Sequence, residues 1–251
     1  MIHFVGAGSG AADLITVRGA KLLGEADVII YAGSLVNPAL LDYAKEGCEV
    51  HNSAHMTLEE VIGVMKAAEG LGKTTVRLHT GDPSLYGAHR EQMDLLDEAG
   101  ISYDVVPGVS SFCGAAAALQ AEYTLPNVSQ LVIITRMEGR TPVPEGEKLR
   151  LMASHGCTMV LFLSTSLLDG AVEELLAGGY SADTPAAIVY KATWPDEQVW
   201  RCTVGTLAQT AREAGVKNTA LITIGGFLGD AYERSKLYDP GFTTEFREAE
   251  R

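Results

Sequence analysis

A glycine-rich segment near the start of the chain, residues 6–11, has the residue types and spacing of a nucleotide-binding turn. It reads GAGSGA, follows a short apolar run and satisfies the pattern G-x-G-x-x-G/A, in which glycines let the backbone approach a ligand. Nicotinamide-binding turns also need an acidic residue after the next strand to hold the ribose. Tyr31 and Ala32 occupy that place. The missing acidic residue argues against a nicotinamide-dependent oxidoreductase, although this class stays an alternative. A second alternative is a glycine turn that only lets a strand and a helix pack closely.

Two further segments place polar groups directly after apolar runs. Residues 80–87 carry Asp82, whose carboxylate can hold an ammonium or a hydroxyl group, next to a glycine that permits close backbone approach. Residues 107–111 read PGVSS and present two hydroxyls and backbone amides at the start of a predicted helix. The alternative for both segments is structural, because aspartate and serine are also residue types that cap helices.

A third segment, residues 135–144, combines positive charge with a stiff backbone. Arg136 and Arg140 lie on it together with two prolines. The forked donors of guanidinium groups are suited to binding carboxylates. The alternative is a charged loop that is only solvated. Between residues 136 and 150 the balance is four basic against three acidic side chains, 4 − 3 = +1.

The elements that must position these segments alternate between short β-branched runs and amphipathic helical stretches. This pattern is typical of βαβ units and a mostly parallel sheet, whose ligands collect at the carboxyl ends of the strands, where these loops lie. The clearest helix signal is the capping box at residues 57–60, followed by an apolar face. Strands are expected at residues 2–5, 28–31, 74–78, 103–106, 131–135, 158–163, 186–190, 199–203 and 220–224.

A change in the pattern indicates a domain boundary near residue 121. Residues 112–119 form a small, apolar helical stretch, Pro126 and Asn127 then interrupt the pattern, and a second series of strands and helices follows. We therefore expect the α/β class, with residues 1–120 and residues 121–251 as two α/β domains. Each is expected to be a mostly parallel or mixed sheet flanked by helices.

Composition excludes several classes of function. The chain has 19 basic and 32 acidic residues, a net charge of −13, which excludes a nucleic-acid partner that must be held by its phosphates. No apolar run approaches the roughly 20 residues that cross a bilayer, and the first residues lack a signal-peptide pattern, so we expect a cytoplasmic protein with no membrane partner. The four cysteines are scattered, and no side chains have the spacing of metal ligands. We therefore expect no protein-bound metal.

Taken in order and spacing, the loops resemble those of one family, the S-adenosylmethionine-dependent tetrapyrrole methyltransferases of cobalamin and sirohaem synthesis. Residues 6–10, with DLIT at residues 13–16, look like the amino-terminal signature of the family. Residues 81–83 look like its central signature, and residues 107–111 like the loop that follows. The resemblance covers nearly the whole chain. It departs at residues 9–12, SGAA, where the family often has an acid between prolines, so that backbone shape is what matters there.

Within the family, three stretches are similar to the members that methylate C11 of precorrin-4 or cobalt-precorrin-4, namely residues 79–83, 138–144 and 190–197. The resemblance implies an in-line methyl transfer that yields S-adenosylhomocysteine and needs alignment more than a catalytic residue, and none is identified. It also implies a homodimer, with the cofactor in the cleft between the two domains. The alternatives are another family member, such as a uroporphyrinogen III or a different precorrin methyltransferase or the diphthine-forming enzyme, or a binding module.

The resemblance also implies the residues that form the site. The expected cofactor contacts, many of them through the backbone, are Ser9, Thr80, Gly81, Asp82, Leu85, Ser110, Ser111, Leu163 and Ala192. The tetrapyrrole substrate carries many carboxylates, so Arg136, Arg140 and Lys191 are expected to bind it. Tyr190 and Trp194 are candidates to cover the macrocycle. Any cobalt would belong to the substrate.

Overall fold

The computed structural model describes residues 1–249, and contacts along the chain divide it into two compact units. The first unit contains Met1–Ala115 together with a short distant segment, Lys191–Glu197. The second contains Ala116–Tyr190 and the chain that follows Glu197. The domain boundary near residue 121 stays a prediction, and the sequence pattern gives no sign that residues 191–197 group with the amino-terminal part of the chain.

The first unit is built on a five-stranded parallel sheet. In chain order its strands are β1 (Ile2–Gly6), β2 (Val28–Tyr31), β3 (Glu49–Asn52), β4 (Thr75–His79) and β5 (Tyr103–Val106). They lie in the order β3-β2-β4-β1-β5, so that β1 pairs with both β4 and β5. The expected parallel sheet is confirmed. Strand β3, with the sequence EVHN, is an edge strand that the pattern does not predict, because three of its four residues are polar and none is buried.

Both faces of this sheet are covered, as parallel sheets require. The helices that begin in this part of the chain are α1 (Val17–Glu25), α2 (Leu58–Gly70), α3 (Arg90–Glu98) and α4 (Ser111–Leu119). Alternate residues of β1 show the two faces, since Phe4 packs with residues of α2 and α3 and Val5 packs with residues of α1. The predicted capping box is confirmed, because Thr57 and Glu60 each accept a hydrogen bond from the backbone N–H of the other.

The second unit is built on a mixed five-stranded sheet. Its strands are β6 (Val132–Arg136), β7 (Thr158–Phe162), β8 (Pro185–Tyr190), β9 (Gln198–Thr203) and β10 (Ala220–Ile224). They lie in the order β6-β7-β10-β8-β9, and only β6 and β7 are parallel. Helices α5 (Leu149–Ala153), α6 (Leu168–Ala177) and α7 (Leu207–Glu213) pack against one core cluster of this sheet. A mixed sheet is one of the two forms expected. Across residues 1–249, the helices are all too short or too polar to cross a membrane.

Candidate functional site

The glycine-rich turn meets two other loops at the carboxyl edge of the parallel sheet. Strands β4, β1 and β5 are neighbours, so the segments after them leave the sheet side by side. Gly8 and Gly81 form a two-way backbone bridge, with N···O distances of 3.2 and 3.1 Å. A Cβ atom on Gly6 would lie 2.6 Å from the Cα atom of Gly108, and one on Gly108 would lie 2.1 Å from the carbonyl oxygen of Gly81. Three backbones therefore touch here, and a side chain at position 6 or 108 would separate them.

Asp82 holds two of these loops together. Its Oδ1 atom accepts hydrogen bonds from the backbone N–H, at 2.9 Å, and the hydroxyl of Ser84, and its Oδ2 atom accepts one from the N–H of Gly108 at 2.8 Å. Partial burial raises the pKa of the carboxyl, but the hydrogen bonds from Ser84 and Gly108 outweigh it and hold the pKa below its usual value of 3.8. The alternative that Asp82 caps the following helix is wrong, because α3 begins after His89.

The distant segment Lys191–Glu197 packs on the glycine-rich turn. The hydroxyl oxygen of Thr193 accepts a hydrogen bond from the N–H of Ala11 at 3.0 Å and lies 3.1 Å from the hydroxyl of Ser9, which is 184 residues away in the sequence. The N–H of Thr193 donates to the carboxylate of Glu197 at 2.6 Å. Two predicted cofactor residues, Ser9 and Ala192, thus lie in one neighbourhood, and both are buried.

Close packing in this neighbourhood again depends on glycine. A Cβ atom on Gly10 would lie 2.1 Å from the indole ring of Trp194 and 2.6 Å from the carbonyl oxygen of Ala192. One on Gly114, in helix α4, would lie 2.7 Å from the Cβ atom of Ser9. Trp194 is therefore placed against the turn, and its expected role of covering the macrocycle stays a prediction.

The backbone of several candidate residues has an unusual conformation. Thr193, Lys191 and Leu163 have φ angles of +67°, +46° and +51°, in the left-handed region that favours glycine. A β-branched residue such as threonine is a clear outlier there. Leu163, which follows β7 in the second unit, is also 63% exposed. Strained backbone and exposed apolar side chains are found preferentially at ligand sites.

The remaining predicted cofactor residues lie on the same loops of the first unit. Ser110 is buried, and Ser111 is the first residue of α4. Thr80 and Leu85 are half-buried on either side of Asp82. The first unit thus contains every predicted cofactor residue except Leu163, and their contacts with a cofactor stay predictions.

The predicted substrate-binding side chains are engaged to different degrees. The guanidinium of Arg136 donates hydrogen bonds to the carbonyl oxygens of Thr141 and Pro142, at 3.1 and 2.6 Å. These bonds hold the loop of residues 136–142 against the Arg136 side chain. The ammonium of Lys191 pairs with Asp196 at 2.6 Å. Arg140 is exposed and has no ion pair with any residue between 1 and 249. Its charge is therefore available to a ligand.

Two residues that hold the Asp82 loop against the sheet, Arg77 and Gln92, could not be recognised from the sequence pattern. Arg77, on β4, is buried, and its Nε atom donates to the side chain of Gln92 at 3.0 Å and its Nη1 atom to the carbonyl oxygen of Ile30 at 3.1 Å. Gln92 in turn donates to the carbonyl oxygen of Ala88 at 2.9 Å. Burial lowers the pKa of Arg77 to about 10, so the guanidinium is still charged at neutral pH. These bonds tie the end of the Asp82 loop to the sheet.

Comparison with known proteins adds a family and full-length relatives. Residues 1–208 match the family model described as tetrapyrrole (corrin/porphyrin) methylases. A curated protein of Methanocaldococcus jannaschii, named cobalt-precorrin-4 C(11)-methyltransferase, is 54% identical over 249 residues, which are 99% of this chain and 96% of that protein.

Solved structures agree with this match. The structure of a cobalt precorrin-4 methyltransferase, CbiF, has a TM-score of 0.89 and 50% identity, covering 91% of this chain and 96% of its own. A uroporphyrin-III C-methyl transferase from Thermus thermophilus, solved with S-adenyl homocysteine, has a TM-score of 0.77 and 25% identity, with coverage of 90% and 98%.

Proposed function

This chain belongs to the tetrapyrrole (corrin/porphyrin) methylase family, and we propose that it transfers the methyl group of S-adenosylmethionine to C11 of cobalt-precorrin-4 or precorrin-4. One observation carries the proposal: 54% identity over 99% of the chain with a protein named for this reaction. The cobalt form is the first candidate, because the M. jannaschii relative and CbiF are both named for it. Uroporphyrin-III methylation is less favoured, because the solved enzyme of that name is 25% identical.

The first unit fits a cofactor that is held mainly through backbone groups. Gly8 and Gly81 bridge the glycine-rich turn and the Asp82 loop, and Asp82 accepts a hydrogen bond from the N–H of Gly108 in the PGVSS loop. When bound, the cofactor would supply a methyl group on a sulfonium: a ring carbon bonds to the methyl carbon as the carbon–sulfur bond breaks and S-adenosylhomocysteine leaves. This step needs alignment more than a covalent residue. Rigid loops supply that alignment, which for well-oriented partners is worth roughly 7–11 kcal/mol.

We assign the substrate carboxylates first to Arg140. Its guanidinium is exposed and has no ion pair within the described chain, whereas Lys191 is already paired with Asp196. Arg136 shapes the loop that presents Arg140, through its bonds to Thr141 and Pro142. A bidentate guanidinium–carboxylate pair fixes orientation as well as affinity. A homodimer, expected from the resemblance, is part of the same proposal, and sedimentation of the purified protein tests it.

A methyl-transfer assay with carbon-13-labelled cofactor tests the function. The purified protein is incubated with cobalt-precorrin-4, with precorrin-4 and with uroporphyrinogen III, and the products are analysed by mass spectrometry and carbon-13 NMR. We expect one labelled methyl group, on C11, with the cobalt substrate or its metal-free form. Methylation of uroporphyrinogen III alone, or of a carbon other than C11, would contradict the proposal.

A further inference from the structure

We propose that Thr193 is a positioning residue that holds the glycine-rich turn, residues 6–11, in the conformation that binds the cofactor. The inference rests on the proposed function, since it assigns a role at the same cofactor site. Thr193 lies in one of the three stretches that resemble the C11-methylating members, residues 190–197, but no residue pattern assigns a role to its hydroxyl. Three structural features set Thr193 apart: the partners of its polar atoms, the conformation of its backbone, and its position next to Ala192.

The polar atoms of Thr193 join segments that are far apart in the chain. Its hydroxyl accepts a hydrogen bond from the N–H of Ala11 at 3.0 Å and shares another with the hydroxyl of Ser9 at 3.1 Å. Its own N–H is held by the carboxylate of Glu197 at 2.6 Å. One residue thus fixes both the side chain and the backbone of the turn. Loss of the hydroxyl would remove the partner that the structure gives the Ala11 N–H.

The backbone of Thr193 is held in a conformation that threonine avoids. Its φ angle is +67°, and a β-branched side chain disfavours this region much more than glycine or asparagine does. Lys191, two residues earlier, has a φ angle of +46°. Glycine at position 193 would relieve the strain but could not supply the hydroxyl. The presence of threonine here is explained if the hydroxyl is needed.

The position of Thr193 connects it with cofactor binding and not only with stability. It follows Ala192 directly and bonds to Ser9, and these are two of the proposed cofactor contacts. The turn also has a second support, because Asn37 donates to the carbonyl oxygen of Gly10 at 2.9 Å. A variant that lacks the Thr193 hydroxyl can therefore keep a folded turn in a shifted position. Shifts of about 0.5 Å are enough to weaken a site that depends on backbone groups.

The chain offers a matched control in Thr219. It is also a threonine with a left-handed backbone, with a φ angle of +53°, and its hydroxyl bonds to the side chain of Asn218, its neighbour in sequence. It directly precedes β10, whose first residue Ala220 pairs with Tyr190, and the hydrogen bond of its hydroxyl is to Asn218 and not to the glycine-rich turn. Substitutions at Thr219 therefore reproduce the change in strain and hydroxyl content without removing a hydrogen bond to the glycine-rich turn.

The test compares Thr193→Val, Thr193→Ser and Thr193→Gly with the same substitutions at Thr219. S-adenosylhomocysteine binding is measured by calorimetry, and Tm by scanning calorimetry. We expect the Val and Gly variants at position 193 to raise Kd about tenfold, because each loses about two hydrogen bonds, and Thr193→Ser to stay within about twofold of the unmodified protein. The variants of Thr219 should leave Kd unchanged. Thr193→Gly keeps the test valid if the strained Val variant does not fold.

Each outcome decides the inference. An unchanged Kd in Thr193→Gly, or a loss in Thr193→Ser equal to that in Thr193→Val, would overturn it, because the hydroxyl would then not be what matters. Equal losses at positions 193 and 219 would also overturn it, since general destabilisation would explain them. If the unmodified protein fails to bind S-adenosylhomocysteine, the proposed function fails instead.

Discussion

The three basic side chains expected to bind substrate carboxylates differ in how far their charge is already engaged. Arg136 is bonded to carbonyl groups of its own loop, Lys191 is paired with Asp196, and Arg140 extends into solvent. The sequence predicts Arg136 and Arg140 first and Lys191 next, and it does not separate the two arginines. Their hydrogen bonds rank them, since a donor that is already bonded gives up that bond when it binds a ligand.

Arg140→Ala should therefore affect the substrate and spare the cofactor. Losing one charge-assisted carboxylate pair is expected to raise the KM for the tetrapyrrole about tenfold. The Kd of S-adenosylhomocysteine should stay within about twofold. Arg18→Ala, which removes another exposed arginine from helix α1, is the control and should change neither constant. Unchanged substrate kinetics in the Arg140 variant would remove this residue from the substrate site.

Asp82→Asn should weaken cofactor binding and also change how stability depends on pH. The native pKa of Asp82 lies below 3.8, so the ionised carboxylate stabilises the fold above about pH 4, and this contribution is lost as the pH falls through the lowered native pKa. The difference in Tm between the unmodified protein and the variant should be largest near neutral pH and shrink toward about pH 3. A difference that does not depend on pH would contradict the bonding of Asp82 described above.

At the scale of elements, much of the first sheet could be predicted because its central strands β1, β2 and β4 are largely buried, and β1 and β2 read as apolar runs. Strand β3 could not, because its sequence EVHN carries no hydrophobic pattern. Helix α3 begins only at Arg90 and not directly after the Asp82 loop, because Tyr86 and Ala88 have left-handed backbones. Local sequence carries no signal of such conformations at tyrosine or alanine, which rarely adopt them.

The candidate site could also be predicted only in part, since some of its contacts join residues that are far apart in the sequence. The three loops of the first unit could be placed at one sheet edge, because parallel strands end together. The approach of Thr193 to Ser9 could not be derived from residue patterns, since it joins positions 184 residues apart. The glycines of the turn were predicted to permit close approach to a ligand, whereas at Gly6 the close approach is to Gly108 in another loop.

Glycine substitutions test this packing of loops. Gly108→Ala places a Cβ atom 2.1 Å from the carbonyl oxygen of Gly81, so we expect the free energy of unfolding to fall by about 2 kcal/mol or more. Affinity for S-adenosylhomocysteine should fall as well. Gly63→Ala is the matched control, because position 63 is exposed in helix α2 and nothing lies within 4 Å of the new Cβ atom. It should stabilise the protein by roughly 0.5–1 kcal/mol. Urea unfolding measures both, and equal effects would contradict the packing argument.

At the scale of the whole molecule, the net charge of −13 acts in opposite directions on the two reactants of the proposed reaction. The tetrapyrrole substrate is a polyanion and S-adenosylmethionine carries a net positive charge. At low ionic strength the Debye length is about 30 Å, so the field of the whole protein repels the substrate and attracts the cofactor. Near 0.15 M salt it is about 8 Å, and the substrate then meets mainly nearby charges such as those of residues 136–150, whose balance is +1.

Increasing salt should therefore change kcat/KM for the two reactants in opposite directions. We expect kcat/KM for the tetrapyrrole to rise as salt increases from about 0.01 to about 0.15 M, and to fall above that, where the local arginine contacts are screened as well. Over the first interval kcat/KM for S-adenosylmethionine should fall, because the attraction of the acidic protein is lost. Steady-state kinetics with each reactant varied in turn measure both trends. If kcat/KM fell with increasing salt for both reactants over the whole range, the prediction would be wrong. Local basic charge would then govern substrate capture at every salt concentration, and the acidic surface would not contribute.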